Sequence, residues 1–305
     1  MNAAVLDHPQ IDHDVPLAPM TTYKLGGTAA AFLDAPDETT LRAVLADVAA
    51  GVPIFVLGRG SNVVFSDAGY PGLVVRLGGE FLAVTFEQTG EVVAGGAAPL
   101  PRLARLTAEA GRGGLEFYVG IPGSVGGAVR MNAGGHGSDT REWLIAARIL
   151  DVRTGEVVVR DPISLDLAYR HSNLTTDDLV LAARYRTVDR ARHEAEAEIR
   201  AITRWRREHQ PGGTLNAGSV FKNPPDDSAG RLIDASGLKG RRSGGVAVST
   251  LHANFFVAGD EATAQDVWDL VWAVRRRVGE ATGTWLEPEL RFAGTFERTG
   301  DETDD

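Results

Sequence analysis

Cysteine is absent from the 305 residues. That excludes disulfides, thiolate metal sites and a cysteine nucleophile, and it fits a reducing compartment, so a cytoplasmic location is expected. Lysine is nearly absent, with three against 28 arginines. The bias reflects GC-rich coding, and a lysine that survives it reads as one needed as a compact ammonium rather than a planar fork. The three are Lys24, Lys222 and Lys239. No apolar run approaches the ~18 residues of a membrane span. The first twenty residues carry Asp7, Asp12, Asp14 and three prolines. They lack the basic and apolar regions of a signal peptide. The net charge is −10, with acidic residues spread along the chain. Nothing there marks a nucleic-acid surface. No His/Asp/Glu cluster has metal-ligand spacing, so no metal is expected. There are no internal repeats.

What is present begins with ordinary globular composition, 43% hydrophobic and 24% charged, over a length that suits one large or two medium domains. The chain is organised around residues 114–137, GLEFYVGIPGSVGGAVRMNAGGHG. Within it, 120–128 holds four glycines and a proline in nine residues. That density is expected to be neither helix interior nor regular strand. It lets backbone N–H groups approach a ligand, and Ser124 adds a hydroxyl. The physical reading is a backbone cradle for an anion, a pyrophosphate above all; a structural turn cluster is the competing reading. A second loop, Gly58-Arg59-Gly60-Ser61-Asn62, follows the apolar run 54–57. Two such loops read as two walls around one dinucleotide. Neither has the G-x-G-x-x-G pattern with a later acidic residue, and no Walker motif occurs, so an ordinary Rossmann dehydrogenase is excluded.

Residues 1–17 read as a flexible arm. Strands are expected near 30–34 and at 54–57, 73–76, 81–86 and 91–94, with later ones at 143–151, 156–160 and 179–186. Helices are expected at 37–50, closed by Gly51, at 100–110, and at 191–208 with an apolar seam of Ile199, Ile202 and Trp205. Beyond a boundary near 188, a short helix at 229–235 and strands near 245–248 and 254–258 follow. A final helix spans 263–282, with a Thr263/Asp266 capping box and Val267, Leu270, Val271, Val274 and Val278 on one face. A strand at 289–292 closes the chain, and 297–305 reads as a disordered acidic tail. Many strands and few helices before the boundary give an α+β class.

The two loops, in VLGRGSNVVFSDAGYPGLVV and in the organising stretch, resemble the FAD-binding domain of the UDP-N-acetylenolpyruvoylglucosamine reductase (MurB) family. YRHS at 169–172, NAGSVFKNP at 216–224, AGRLIDASGLKG at 229–240, HANFFV at 252–257 and LEPELRF at 286–292 agree in order. The resemblance spans roughly residues 18–293. The glycine loops alone indicate only the wider flavoprotein superfamily; GSVFKNP and PELRF are specific to this reductase. It implies a two-part FAD-binding domain of the vanillyl-alcohol-oxidase-like type at 18–188, then a smaller α+β domain for a UDP-sugar at 189–296. The short span from Ser172 to Val180 resembles the compact form of the family, without the tyrosine-loop insertion.

The resemblance also implies chemistry: NADPH reduces non-covalently bound FAD, and hydride passes to the enolpyruvyl group of UDP-N-acetylglucosamine enolpyruvate to give UDP-N-acetylmuramate, a peptidoglycan precursor. The catalytic residues it implies are Arg170, which holds the substrate carboxylate as charge grows there, Ser219, the proton donor to C2, and Glu289, which shares a proton or hydrogen bond with the carboxylate. Glu287 is the confusable neighbour of Glu289, two positions away on the same strand face. Cofactor contacts fall on Gly58, Arg59, Gly60, Ser61, Asn62, Pro122, Gly123, Ser124, Val125, Gly126, Gly127, Ala128 and Asn132. Substrate contacts fall on Tyr169, Arg207, Lys222, Asn223, Lys239 and Asn254. His136 stands where the family has an aromatic residue, and Arg130 where it has an apolar or aromatic one. His252 reads as structural at least as readily as catalytic. The sequence does not fix the oligomeric state, and a monomer is favoured. Two other readings stand beside the reductase: another oxidase of the same flavin superfamily, and a catalytically idle flavin or nucleotide-sugar binding protein. Ser219, Glu289 and the ordered GLKG and HANF motifs weigh against the first. Retention of Arg170, Ser219 and Glu289 weighs against the second, since binding needs no proton donor.

Overall fold

Residues 8–297 are described in the computed structural model, and their main chain divides into two units that are not consecutive blocks. The first holds the chain up to His13, Ala31–Arg59 and Gly72–Arg206; the second holds Asp14–Ala30, Gly60–Pro71 and the chain from Arg207. The expected boundary at 188/189 differs from this division for a packing reason. Ala195, Ile199 and Ile202 of the Arg192–His209 helix belong to the core of the first unit. Likewise Tyr23 and Val64 lie in the core of the second unit, and the Tyr23 hydroxyl donates to the Phe256 carbonyl at 3.0 Å.

In the first unit, Val84–Phe86, Val92–Gly95, Asp178–Tyr185, Leu144–Asp151 and Val157–Arg160 form a five-stranded antiparallel sheet in that spatial order. The Leu100–Glu109 helix contributes Leu100, Leu103 and Ala104 to the core that includes this sheet's Ala147, Ile149 and Ala183. A second core gathers Leu41, Val44 and Leu45 of the Glu38–Ala46 helix with Ile54, Leu73 and Val75. Ile54–Leu57, which runs parallel to the later part of Tyr70–Leu77, delivers the first glycine loop at its own C-terminal end.

The second unit packs the Ala264–Thr282 helix over Val246–Val248 and Phe256–Ala258, which pair antiparallel. The Thr263/Asp266 capping box is present, the five predicted apolar residues are buried, and Gly283 closes the helix at φ 76°. Val63–Phe65 pairs in parallel with Arg291–Ala293.

Several local expectations are corrected. Residues 81–86 are not one strand; a 3-10 turn, Gly79–Leu82, precedes Val84–Phe86. The first helix ends at Ala46, well before Gly51. The arm expected at 1–17 contains the strand Asp12–Pro16, and Leu17 N–H donates to the Gly27 carbonyl; residues 1–7 lie outside the described chain. Of the tail expected at 297–305, Glu297 is hydrogen-bonded to Gln265, and 298–305 lie outside the described chain. Among the described residues, no helix is long and apolar enough to cross a membrane.

Candidate active site

The two glycine loops meet inside the first unit. A Cβ built on Gly58 would stand 2.8 Å from Ser124 Oγ, so a side chain there would require the Ser124 hydroxyl to shift. Among the described residues, the main-chain N–H groups of Gly58, Arg59, Gly123 and Ser124 have no hydrogen-bond partner. Unpartnered N–H groups from two apposed loops are a donor set that suits a diphosphate. The chain therefore fits the flavin dinucleotide at this place.

The second loop departs from its expected conformation. Residues Val125–Met131 form a helix that includes Gly126 and Gly127. Ser124 caps it: its carbonyl accepts from Ala128 N–H and its hydroxyl from Gly127 N–H. Val125 and Gly126 donate to the Ala98 and Gly96 carbonyls. The N–H groups of 125–128 are thus engaged within the protein, and the open donors lie just before them. Gly60 is also needed for packing: a Cβ there would stand 2.1 Å from the Met20 carbonyl oxygen.

Asn132, expected at the cofactor, is a buried brace. It ends the helix at φ 40°, its Nδ2 donates to Asp139 and to the Ala168 carbonyl, and its Oδ1 accepts from Arg141 N–H. Two positions beyond Ala168 stands Arg170, in the left-handed region at φ 52°. Ala168 and His171 exchange backbone hydrogen bonds around it. The Arg170 guanidinium donates to the Gly134 carbonyl at 2.8 Å and lies 5.1 Å from the centre of the Tyr169 ring. Gly134 belongs to a small hairpin with His136 at its tip, edge-on to Trp205 at 5.2 Å. Partial burial, with Arg206 nearby, lowers the His136 pKa against the opposing pull of Glu198. Arg130 donates to the Thr175 carbonyl and accepts from Ser172 Oγ through its own carbonyl.

The predicted residues of the second unit converge on one short segment. Val220 N–H donates to the Asn254 carbonyl, and the Val220 carbonyl accepts from Glu289 N–H at 2.7 Å. Ser219 is thereby one residue from the contact that anchors Glu289. Glu287 and Glu289 separate clearly. Glu287 is exposed and pairs with Lys222 Nζ at 2.6 Å, whereas Glu289 is partly buried and its carbonyl accepts from Asn62 Nδ2 at 3.0 Å. The closing strand begins later than expected, at Arg291, because 287–289 is engaged with 220–222 instead.

Asn254 is buried, and its amide accepts from Phe221 N–H and donates to the Phe221 carbonyl. Asn223 Oδ1 accepts from Ala229 N–H at the start of the Ala229–Ala235 helix. Lys239 pairs with Asp234 at 2.7 Å. Burial lowers the pKa of His252, whose ring packs against Phe255. Among the described residues, no three His/Cys/Asp/Glu side chains are grouped to hold a metal.

Sequence reasoning misses two residues of interest. Asn62 reads as a cofactor contact, yet its amide supports Glu289; no local signal announces a contact across so much sequence. Arg207 is exposed, whereas its neighbour Arg206 is partly buried, with Cδ 3.3 Å from the Cβ position of Gly120. The helical spacing of Ala195, Ile199, Ile202 and Arg206 carries that signal, since the seam continues to 206 and leaves Trp205 exposed.

Comparison with known proteins completes the description. Residues 29–160 match a model described as FAD binding domain, and residues 210–293 match UDP-N-acetylenolpyruvoylglucosamine reductase, C-terminal domain. The UDP-N-acetylenolpyruvoylglucosamine reductase of Parvibaculum lavamentivorans is 40% identical over 94% of this chain and 92% of its own length. That of a Methylorubrum extorquens strain is 42% identical over 91% and 90%. The crystal structure of UDP-N-acetylenolpyruvylglucosamine reductase (MurB) from Thermus caldophilus is similar with a TM-score of 0.80, at 37% identity, covering 93% of this chain and 99% of that one.

Proposed function

The chain belongs to the UDP-N-acetylenolpyruvoylglucosamine reductase family, and from that premise we propose that it reduces UDP-N-acetylglucosamine enolpyruvate to UDP-N-acetylmuramate at the expense of NADPH. FAD, held non-covalently, supplies the hydride to the enolpyruvyl CH₂ carbon. Two demands then fall on the protein: charge growing on the substrate carboxylate must be held, and C2 must be protonated.

Arg170 holds the carboxylate in a guanidinium fork whose grip strengthens as charge grows. Glu289 shares a proton or hydrogen bond with the same carboxylate. Ser219 gives its proton to C2 and regains one through water. Lys222 and Lys239 face the diphosphate. Their ammonium groups are paired with Glu287 and Asp234, so an incoming phosphate has to displace a carboxylate. A cytoplasmic setting and a monomeric state belong to the same proposal.

The observation that carries the reading is the junction at Val220, whose backbone links the segment bearing Ser219 to Glu289 at 2.7 Å. It favours a proton donor and an acid acting on one substrate. Mass analysis after incubation with NADPH and UDP-N-acetylglucosamine enolpyruvate tests it. A product heavier than substrate by two hydrogens is expected. Unchanged substrate, with NADPH consumed only in the presence of oxygen, would contradict it.

A further inference from the structure

The five-stranded sheet of the first unit ends at Val157–Arg160, an edge strand paired with Leu144–Asp151 on one side only. Sheet edges are commonly blunted by lysine, proline, a bulge or a covering segment. This one has neither lysine nor proline, and its register runs unbroken from Leu150–Val157 to Ala147–Arg160. Three successive valines stand there instead, and Val159 is 71% exposed.

One contact fixes the polarity of the edge. The Glu156 carbonyl accepts from Asp151 N–H at 2.9 Å. Successive residues of an antiparallel strand turn their N–H and C=O groups to opposite sides. Glu156, Val158 and Arg160 therefore turn toward Leu144–Asp151, and Val157 and Val159 turn outward. Among the described residues, the main-chain groups of Val157 and Val159 have no partner.

The flanking charges match a two-fold axis through Val158. Glu156 precedes it by as many residues as Arg160 follows it. A second copy of the strand, antiparallel and centred on Val158, sets Val157 against Val159 at the positions with outward backbone groups. It also sets Glu156 against Arg160 in pairs without backbone bonds, where side chains come closest. Both charges are available. Glu156 is exposed, and among the described residues its carboxylate has no partner. Arg160 donates to Asn173 Oδ1 and the Ser164 carbonyl through one terminal nitrogen, which leaves its other nitrogens open.

We propose that Val157–Arg160 is a self-pairing edge through which two copies of this chain associate. Val157 and Val159 of each copy exchange backbone hydrogen bonds with Val159 and Val157 of the other, and Glu156 pairs with Arg160 at both ends. The contact is small, so the pair is weak and the monomeric state holds in dilute solution. Nothing in this depends on the reaction proposed above.

Sedimentation velocity on the flavin-loaded enzyme, from about 5 to about 500 μM, tests it. The mean mass should rise toward twice that of the monomer. Val159→Pro should abolish the rise and still fold, because the N–H it removes faces outward and serves no ladder bond. Glu156→Arg and Arg160→Glu each set like charges opposite one another and should weaken association about tenfold. An equimolar mixture of those two variants sets opposite charges at both ends again and should recover it. Circular dichroism checks each fold. A wild-type protein that stays monomeric throughout would overturn the proposal, as would association unchanged by Val159→Pro or not recovered in the mixture. Glu156→Arg leaves the Arg160–Asn173 contact in place, so it decides the matter if Arg160→Glu does not fold: undiminished association would overturn the proposal.

Discussion

The side-chain amide of Asn62 donates to the main-chain carbonyl of Glu289 at 3.0 Å, and the Asn62 carbonyl accepts from Arg291 N–H at 3.2 Å. A residue of the first glycine loop thus fixes the backbone on which the proposed acid stands. Asn62→Ala should slow flavin reoxidation by the enolpyruvyl substrate roughly tenfold, through misplacement of Glu289. The melting temperature should fall by only about 2–4 °C, as expected for one partly buried hydrogen bond. An unchanged reoxidation rate in stopped-flow absorbance would refute the coupling.

Ser219 separates the two half-reactions. A donor used only after hydride transfer has no part in flavin reduction by NADPH. Ser219→Ala should therefore slow reoxidation by substrate by ~10²–10⁴-fold, with the loss confined to that step. Equal loss in both steps would mean that Ser219 shapes the shared site instead.

Arg190 ties the buried Glu116 of the organising stretch to Glu198 on the following helix, at 2.8 and 2.6 Å. Glu116 also accepts from Gly114 N–H, which fixes the approach to the cradle. Arg190→Met leaves a buried carboxylate without its cation and should cost about 2 kcal/mol, with partial recovery in the Glu116→Gln/Arg190→Met double variant. Urea unfolding of the four proteins measures this coupling. Additive losses would mean that the pair contributes no mutual stabilisation.

Glu38 carries an acid-range prediction. Arg148 hydrogen-bonds to both of its oxygens and, with Arg42, holds the carboxyl below the usual range against the opposing effect of partial burial. A carboxyl lowered on folding contributes stability that is present above its unfolded pKa and is lost as pH falls through the folded value. Glu38→Gln should flatten the decline of unfolding midpoint between about pH 5 and pH 3, taking the unfolded carboxyl near 4.3. Parallel profiles for wild type and variant would show that the pair adds nothing to folding.

Much of the fold was legible because local physics decided it. The Ala229–Ala235 helix, the Thr263/Asp266 cap and the Ile54–Leu57 strand follow from side-chain period, capping chemistry and β-branching. Gly126 and Gly127 misled, since their low helix propensity is outweighed by the Ser124 cap and by the backbone acceptors at Gly96 and Ala98. The asparagines misled differently. Asn132 and Asn254 sit in motifs that read as ligand contacts, but their amides serve Ala168 and Phe221, partners distant in sequence. The placement of 14–30 and 60–71 with the C-terminal unit was illegible for the same reason: Tyr23 and Val64 are ordinary apolar residues until their core is assembled.

The most direct measurement is an anaerobic absorbance experiment on the purified protein, reconstituted with FAD. The account predicts a flavin band that bleaches with NADPH and recovers on adding UDP-N-acetylglucosamine enolpyruvate in the absence of oxygen. A flavin that bleaches but recovers only with oxygen would contradict it and indicate an oxidase.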